Sequence, residues 1–334
     1  MSAVLAGFIA YLIIVLFIGL LTAKHNKTQA DYLIGGRRLN PWVIAFSERA
    51  SGESAWLLLG MTGAALSVGL GETWTALGCV LGIIISWLFI ARKLREDSGK
   101  YDALTLPEYF TEKFSKDGKS IQIIASVIII FFFTFYIAAQ FSGAGKVLNV
   151  TFGIPNFWGV LVGAGVILLY TMLGGFFAVA WTDLVQGIIM LGTLVVLPIV
   201  GIIELSEAGK LGTLSISQAL VQEGADKASW VGGAAALVLA LTTKELVFSM
   251  VSYAWGGLGA SFGPIIVLSL YWRKLNKQGV IAGMLAGSLT TFIWKNISTL
   301  QSVIPERLAG YVVAFCAVII VTLVTKPNPA LARR

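Results

Sequence analysis

Apolar residues gather along this chain into long, nearly unbroken runs separated by short charged stretches. The first run, Val4 to Thr22, contains no charged residue. It lacks a basic n-region and a small-residue cleavage site, so it reads as a mature helix and not as a signal peptide. Roughly 20 mostly apolar residues cross a bilayer. Further runs at 42–71, 74–91, 121–145, 155–175, 182–204, 248–271, 279–296 and 308–325 bring the predicted spans to nine. All are predicted helical, because lipid offers backbone N–H and C=O groups no other partner. Trp230 to Leu241 is apolar for only 12 residues before Thr242-Thr243-Lys244-Glu245. A segment of that length reads as re-entrant or interfacial, and a tenth span is the other reading.

Charge decides between them. Lys and Arg collect in cytoplasmic loops. With nine spans and the N-terminus outside, 17 of the 24 basic residues fall inside and six outside. Letting 230–241 span changes the balance to 14 against nine, so the nine-span arrangement is expected. Residues 92–120 are then a solvated cytoplasmic loop, with a short interfacial helix starting at Leu106–Phe110.

Composition agrees with a polytopic membrane protein. Of 334 residues, 57% are hydrophobic and 12% charged, against roughly 45–50% and about 25% in soluble domains. Two cysteines, Cys79 and Cys316, make no disulfide framework, and one histidine, His25, cannot build the usual zinc or haem site. Nucleic acid is not expected as a partner despite the net charge of +7, because the basic residues sit between apolar runs. No P-loop, nucleotide fingerprint or paired metal ligands occur, so no enzyme chemistry is expected.

The informative stretch is Ala45 to Trp56, which places Glu48, Arg49, Glu53 and three serines inside an apolar span. A charge at the bilayer centre costs roughly 2.5–3.5 kcal/mol, so intramembrane charge points first to function. Gly52 weakens the helix at the same place, and a break is expected near Ala50–Gly52. Carbonyls freed at such a break hold sodium in many transporters. The other reading is a Glu48–Arg49 ion pair serving helix packing. Tyr136 and Gln140 lie four apart on one helix face, as a cavity-facing stripe or as helix–helix hydrogen-bonding groups. Asp183 is expected near the N-terminus of the sixth span, where a carboxylate is favourable. The run Gly256 to Pro264 is either a hinge or a site of close small-residue packing.

Several blocks resemble the sodium:solute symporter family, closest to its sodium/proline symporters. They are Asp31-Tyr32-Leu33-Ile34-Gly35-Gly36-Arg37-Arg38-Leu39, Ala50-Ser51-Gly52-Glu53-Ser54-Ala55-Trp56, Ala103 to Phe110, Leu173 to Asp183, and Val251 to Gly257. The resemblance implies an all-α fold of inverted five-helix repeats with a broken first core helix. It places the extra N-terminal helix and the first repeat in residues 1–230, a junction in 231–247, and three last helices with a cytoplasmic tail in 248–334. Core helices 6, 7 and 8 have no counterpart, with the join near Gly232–Ala236. Gly52, followed by Glu53, stands where proline symporters carry Asp.

Carried over position by position, the resemblance implies a partial sodium site at Ala50, Glu53 and Ser54. Substrate contacts are implied at Ser54, Trp56 and Tyr136, with Gln140 on the Tyr136 face. Arg37 is implied in coupling, beside the intramembrane charges Glu48 and Arg49. The expected function is sodium-coupled symport of a small organic solute, L-proline first, across the plasma (inner) membrane. Sodium is the coupling ion and no cofactor is expected. The missing helices lead to an expectation of impaired function: weak sodium binding, if any, and no sodium-stimulated proline uptake by this chain alone, unless Glu53 completes a partial site. The alternative is a non-transporting membrane protein of the same family.

Overall fold

A computed structural model describes residues 3–115, 119–207, 246–301 and 303–325, which form helices and turns without a strand among them. The 230–241 segment, the join near Gly232–Ala236 and the tail beyond residue 325 lie outside the described residues. The helices are α1 (Ala3–Ala23), α2 (Gln29–Ile34), α3 (Pro41–Ala55), α4 (Thr62–Val68), α5 (Thr73–Ile85), α6 (Arg92–Lys100) and α7 (Leu106–Phe114). They continue as α8 (Ser120–Phe152), α9 (Asn156–Glu207), α10 (Leu246–Tyr271), α11 (Lys277–Lys295), α12 (Ser298–Gln301) and α13 (Glu306–Val324).

Among the described residues, six helical segments are long and apolar enough to cross a bilayer: Ala3–Ala23, Thr73–Lys100, Ser120–Phe152, Asn156–Glu204, Val247–Tyr271 and Glu306–Val324. The fourth, at 49 residues, is more than twice the length of one crossing. It is divided by Gly175, whose φ of 54° and ψ of −149° are non-helical. Residues 42–71 and 279–296 are helical too, but less apolar. The first carries three charges and the second is bounded by Lys277 and Lys295.

The chain divides into two compact units. In the first, Met1–Trp74 with Ala139–Phe248, α9 packs against α1, α2 and α3. The α1–α9 approach needs small residues: a Cβ on Gly174 would lie 2.7 Å from Thr22 Oγ1 and 2.9 Å from the Gly19 carbonyl. The turn before α3 is built around Asp31. Its carboxylate accepts the Thr28 N–H at 3.1 Å while Thr28 Oγ1 accepts the Asp31 N–H, a reciprocal cap on α2. Gly35 closes α2 in the left-handed region (φ 61°). Gly36 follows at φ 57°, where a Cβ would sit 2.5 Å from Asp31 Oδ1, so its bareness lets Arg38 reach back to pair with Asp31. The Thr28 hydroxyl, and then Arg38, hold the Asp31 carboxyl below its ordinary value. Its contribution to stability is therefore full at neutral pH and lost as pH falls through the folded-state value, below the usual carboxylate range of about 4. An Asp31→Asn variant flattens that acid limb, measurable by thermal unfolding across pH.

Tyr32 docks this turn on the Gly175 break. A Cβ at Gly175 would meet Tyr32 Cδ2 at 2.7 Å and the Tyr32 carbonyl at 2.9 Å, in a backbone conformation open only to glycine. Gly175→Ala is expected to lower stability by about 2 kcal/mol or more. Adding Tyr32→Ala relieves only part of the loss, since the carbonyl remains. Unfolding midpoints of the two variants check this.

In the second unit, Thr75–Ala138 with Ser249–Arg334, Tyr109, Phe110, Phe132, Phe262, Ile265 and Met284 are core residues with almost no exposure. The segment expected as a solvated loop is half core. Thr105 and Glu108 cap α7 reciprocally, and the helix buries its aromatic face. Tyr109 OH donates to Asp97 at 2.7 Å, and Lys113 pairs with Asp97 and donates to the Ser269 carbonyl at 2.8 Å. Burial, and then the Asp97 charge, push the Tyr109 hydroxyl well above its usual value. The short helix expected from Leu106 is present and runs to Phe114. The glycine-rich run is continuous helix within α10. Gly257 receives the Phe132 ring, and a Cβ on Gly263 would lie 2.8 Å from Tyr311, so close packing is the better description.

Candidate functional site

Asn40 starts α3 by accepting the Trp42 N–H at 2.9 Å, with Pro41 at the first position. The helix then runs through Gly52 and breaks at Ser54 (φ 36°, ψ −146°), two residues beyond the expected Ala50–Gly52. A helix following it without interruption would aim the Ala55 N–H back at the Ser51 carbonyl. Here that N–H donates to Gln140 Oε1 on α8 at 3.1 Å. Gly143, one turn along α8, leaves room for this approach, since a Cβ there would lie 3.1 Å from Ala55 Cβ. The position of the break is therefore set by α8 as much as by the glycine. Trp56 N–H donates to the Glu53 carbonyl, a wider π turn follows over Trp56–Met61, and the Trp56 ring stacks on Phe248 at 6.4 Å.

The three charges of α3 meet. Arg49 Nε donates to Glu48 Oε2 at 2.6 Å, a second Arg49 nitrogen pairs with Glu48 Oε1, and Arg49 Nη1 reaches Glu53 Oε1 at 3.1 Å. The expected Glu48–Arg49 pair exists and extends to Glu53. One guanidinium thus serves two carboxylates, leaving the group with a formal charge of −1 on α3.

A third carboxylate lies close by in the same unit. Asp183 is not near a helix start: the Gly175 break opens the second half of α9, two turns before it. It is 7% exposed, and its Oδ2 accepts Ser47 Oγ at 2.7 Å and Ser51 Oγ at 2.8 Å. This cluster was not anticipated. The sequence signal was the spacing of Ser47 and Ser51, four apart and so on one face of α3.

Beside the break is a cavity of about 370 Å³. Tyr11 and Val15 of α1, Ala55 and Leu59 at the break, and Gln140, Tyr170 and Gln186 are among its walls. Gln186 Nε2 donates to Tyr11 OH at 2.6 Å. Gln140 Nε2 is buried with no partner among the described residues.

Of the expected site residues, Ala50, Glu53, Ser54, Trp56 and Gln140 are gathered around the break, with Glu48 and Arg49 on the turn before it. Ala50 is buried. Tyr136 belongs to the second unit, where its ring packs on Trp255 at 6.3 Å and on Phe133 at 5.9 Å. Arg37 stays in the turn ahead of α3, at a positive φ of 58°.

Comparison with known proteins agrees with this architecture. The model of the sodium:solute symporter family matches residues 32–229 and 216–287. The high-affinity proline transporter PutP of Bacillus subtilis is 27% identical over 93% of this chain and 96% of its own length. The sodium/proline symporter of Escherichia coli is 26% identical over all of this chain and 95% of its own. The osmoregulated proline transporter OpuE of B. subtilis is 26% identical over 96% and 94%. The E. coli alignment runs over 481 positions against 334 residues here, so well over a hundred of its positions face a gap in this chain. A broken, charge-bearing helix, apolar helices of membrane length and family-model matches over most of the sequence converge on one statement. The chain is a multi-pass membrane protein that belongs to the sodium:solute symporter family.

Proposed function

We propose that this protein is a sodium-coupled symporter of a small organic solute, L-proline first, residing in the plasma (inner) membrane. The observation that carries the reading is the helix broken at Ser54, beside a charged group of net −1, in a chain of this family. A break exposes backbone carbonyls to an ion and N–H groups to a carboxylate. The excess negative charge lowers the cost of bringing a cation into the span. Ala50, Glu53 and Ser54 are the sodium-side residues of this reading. Ser54, Trp56 and Gln140 are the solute-side residues of this reading within the first unit, and Arg37 takes part in coupling. Sodium bound at the break raises the affinity for solute, and solute raises that for sodium by the same factor. Nothing in the reading calls for a cofactor or a chemical step.

Transport by this chain is impaired. Sodium needs several oxygens around it, and in the family some of them come from helices without a counterpart here. The two family-model matches overlap at 216–229, which supports a join close to that stretch. The same alignment gap favours a second reading, a non-transporting membrane protein of the family.

Radiolabelled proline uptake into proteoliposomes, driven by an inward sodium gradient, separates the two. The expected result is sodium-stimulated uptake above empty vesicles and at least tenfold below that of a full-length relative. Uptake no greater than that of empty vesicles, in sodium and in potassium alike, would support the non-transporting reading. The accompanying topology puts the N-terminus outside and residues 273–277 inside. A single cysteine placed at Lys274 is expected to react with a membrane-impermeant maleimide only after the membrane is opened.

A further inference from the structure

Two helices of membrane length, Thr73–Lys100 and Val247–Tyr271, are joined near one end within the second unit. The first passes through a π turn over Ser86–Ala91, a departure from α geometry that recurs at functional sites. Tyr271 OH donates to the Phe89 carbonyl of that turn at 2.6 Å, and Lys93 Nζ stands 3.7 Å from the centre of the Tyr271 ring. The tyrosine thus holds a lysine of one helix beside the last residue of the other.

The chain after Tyr271 is firmly anchored. The Leu275 N–H donates to the Trp272 carbonyl at 3.2 Å, closing a turn with Arg273 and Lys274 at its tip. Leu275 and Asn276 are both buried. Asn276 caps α11 by accepting the Gly279 N–H at 2.9 Å, and it donates to Thr325 Oγ1 just beyond α13 at 2.8 Å. Arg273 and Lys274 remain exposed, and Lys277 opens α11. A turn fixed in this way presents its cations with little left to order on binding.

Their surroundings set these cations apart. Arg92 pairs with Glu96 at 2.8 Å, and Asp97 serves both Lys100, at 3.6 Å, and Lys113. Among the described residues, no ion pair is made by Lys93, Arg273, Lys274 or Lys277. Like charges gathered at one place repel, and a shared anion relieves that repulsion. The adjoining surface is apolar: Leu88 and Phe89 beside Tyr271, and Leu323 and Val324 at the end of α13, are all exposed. Cations at the ends of exposed apolar helices complement an amphiphile with an anionic head.

We propose that this end of the second unit binds an anionic phospholipid, with its phosphate at Arg273, Lys274 and Lys93 and its acyl chains along Leu88 and Phe89. Arg273 grips a phosphate through two N–H groups, and the lysines act as point charges. The headgroup supplies the counter-charge and so steadies the join made by Tyr271. Neither the solute nor the coupling ion enters this site.

Thermal unfolding of the delipidated full chain in non-ionic detergent, titrated with dihexanoyl-phosphatidylglycerol, tests this. The comparisons are dihexanoyl-phosphatidylcholine, with the same tails but no net charge, and inorganic phosphate, with no tails. Phosphatidylglycerol is expected to raise the unfolding midpoint by about 3 °C or more, and the other two by much less at equal concentration. Arg273→Gln combined with Lys274→Gln is expected to need at least about tenfold more of it for the same rise. Lys93→Gln, which reads the same site from the other helix, is expected to need at least about threefold more. Lys295→Gln combined with Arg307→Gln removes equal charge from the end of α11 and the first turn of α13, and is expected to respond as the parent does. An undiminished response in both site variants, or an equal loss in this charge-matched control, would overturn the inference. So would a rise with phosphatidylcholine or inorganic phosphate as large as that with phosphatidylglycerol.

Discussion

Glu53→Gln is expected to abolish the sodium stimulation of proline uptake while leaving the fold intact. Glu53 and Glu48 share the Arg49 guanidinium, and Arg49 makes two contacts to Glu48 but one, at 3.1 Å, to Glu53. Glu53 is therefore the less firmly held carboxylate, on the last turn before the break, and the one free to turn toward a cation. Its amide keeps the size and can still accept from Arg49, but it removes the formal −1 of the group. A charge inside a span is worth a few kcal/mol, and about 1.4 kcal/mol already corresponds to tenfold in affinity. The expected shift in the sodium concentration for half-maximal uptake is tenfold or more, beyond the range in which uptake exceeds background. Glu48→Gln, which leaves Glu53 charged and frees Arg49 to bind it more closely, is expected to retain more activity. Equal loss in both variants would mean that the group acts only as a packing pair.

The second large effect concerns Asp183. Both of its described hydrogen bonds come from serine hydroxyls on α3, and hydrogen bonds to charged groups contribute about 1.5–3 kcal/mol each. The double variant Ser47→Ala with Ser51→Ala leaves a buried carboxylate without those donors. It is expected to cost about 3 kcal/mol or more. Asp183→Asn keeps an oxygen for the hydroxyls and drops the charge, so its cost is expected to stay near 1 kcal/mol. The order parent, Asp183→Asn, double serine variant should appear in urea or thermal unfolding of the detergent-solubilised protein. A double variant as stable as the parent would show that α3 and α9 do not depend on this contact.

What could be read from the chain alone was whatever depends on run length and local chemistry. The apolar runs marked the long helices, because a membrane span has to satisfy its own backbone and announces itself by its length. The charges and Gly52 marked the neighbourhood of the break. Its position at Ser54 was not legible, because the Ala55 N–H is captured by Gln140, 85 residues away in sequence. Asp183 was misplaced for a related reason. The helix containing it starts at the Gly175 break, and that break is held in place by Tyr32 of a distant turn. Residues 92–115 carry enough charge to look solvated, yet a capped helix turns their aromatic residues into core. The Gly256–Pro264 run left two readings open, and the rings of Phe132 and Tyr311 chose between them.

The Tyr32–Gly175 contact makes the second half of α9 a lever with its fulcrum at Gly175. The turn that steadies the fulcrum is itself locked by the Asp31–Arg38 pair. One arm of the lever carries Asp183 and Gln186, the residues that touch α3 and α1. A tilt of that arm moves the serine-bearing turn before the Ser54 break and the Tyr11 wall of the cavity in a single stroke. The short turn of Thr28 to Arg38 thereby braces the helix that reaches both α3 and α1.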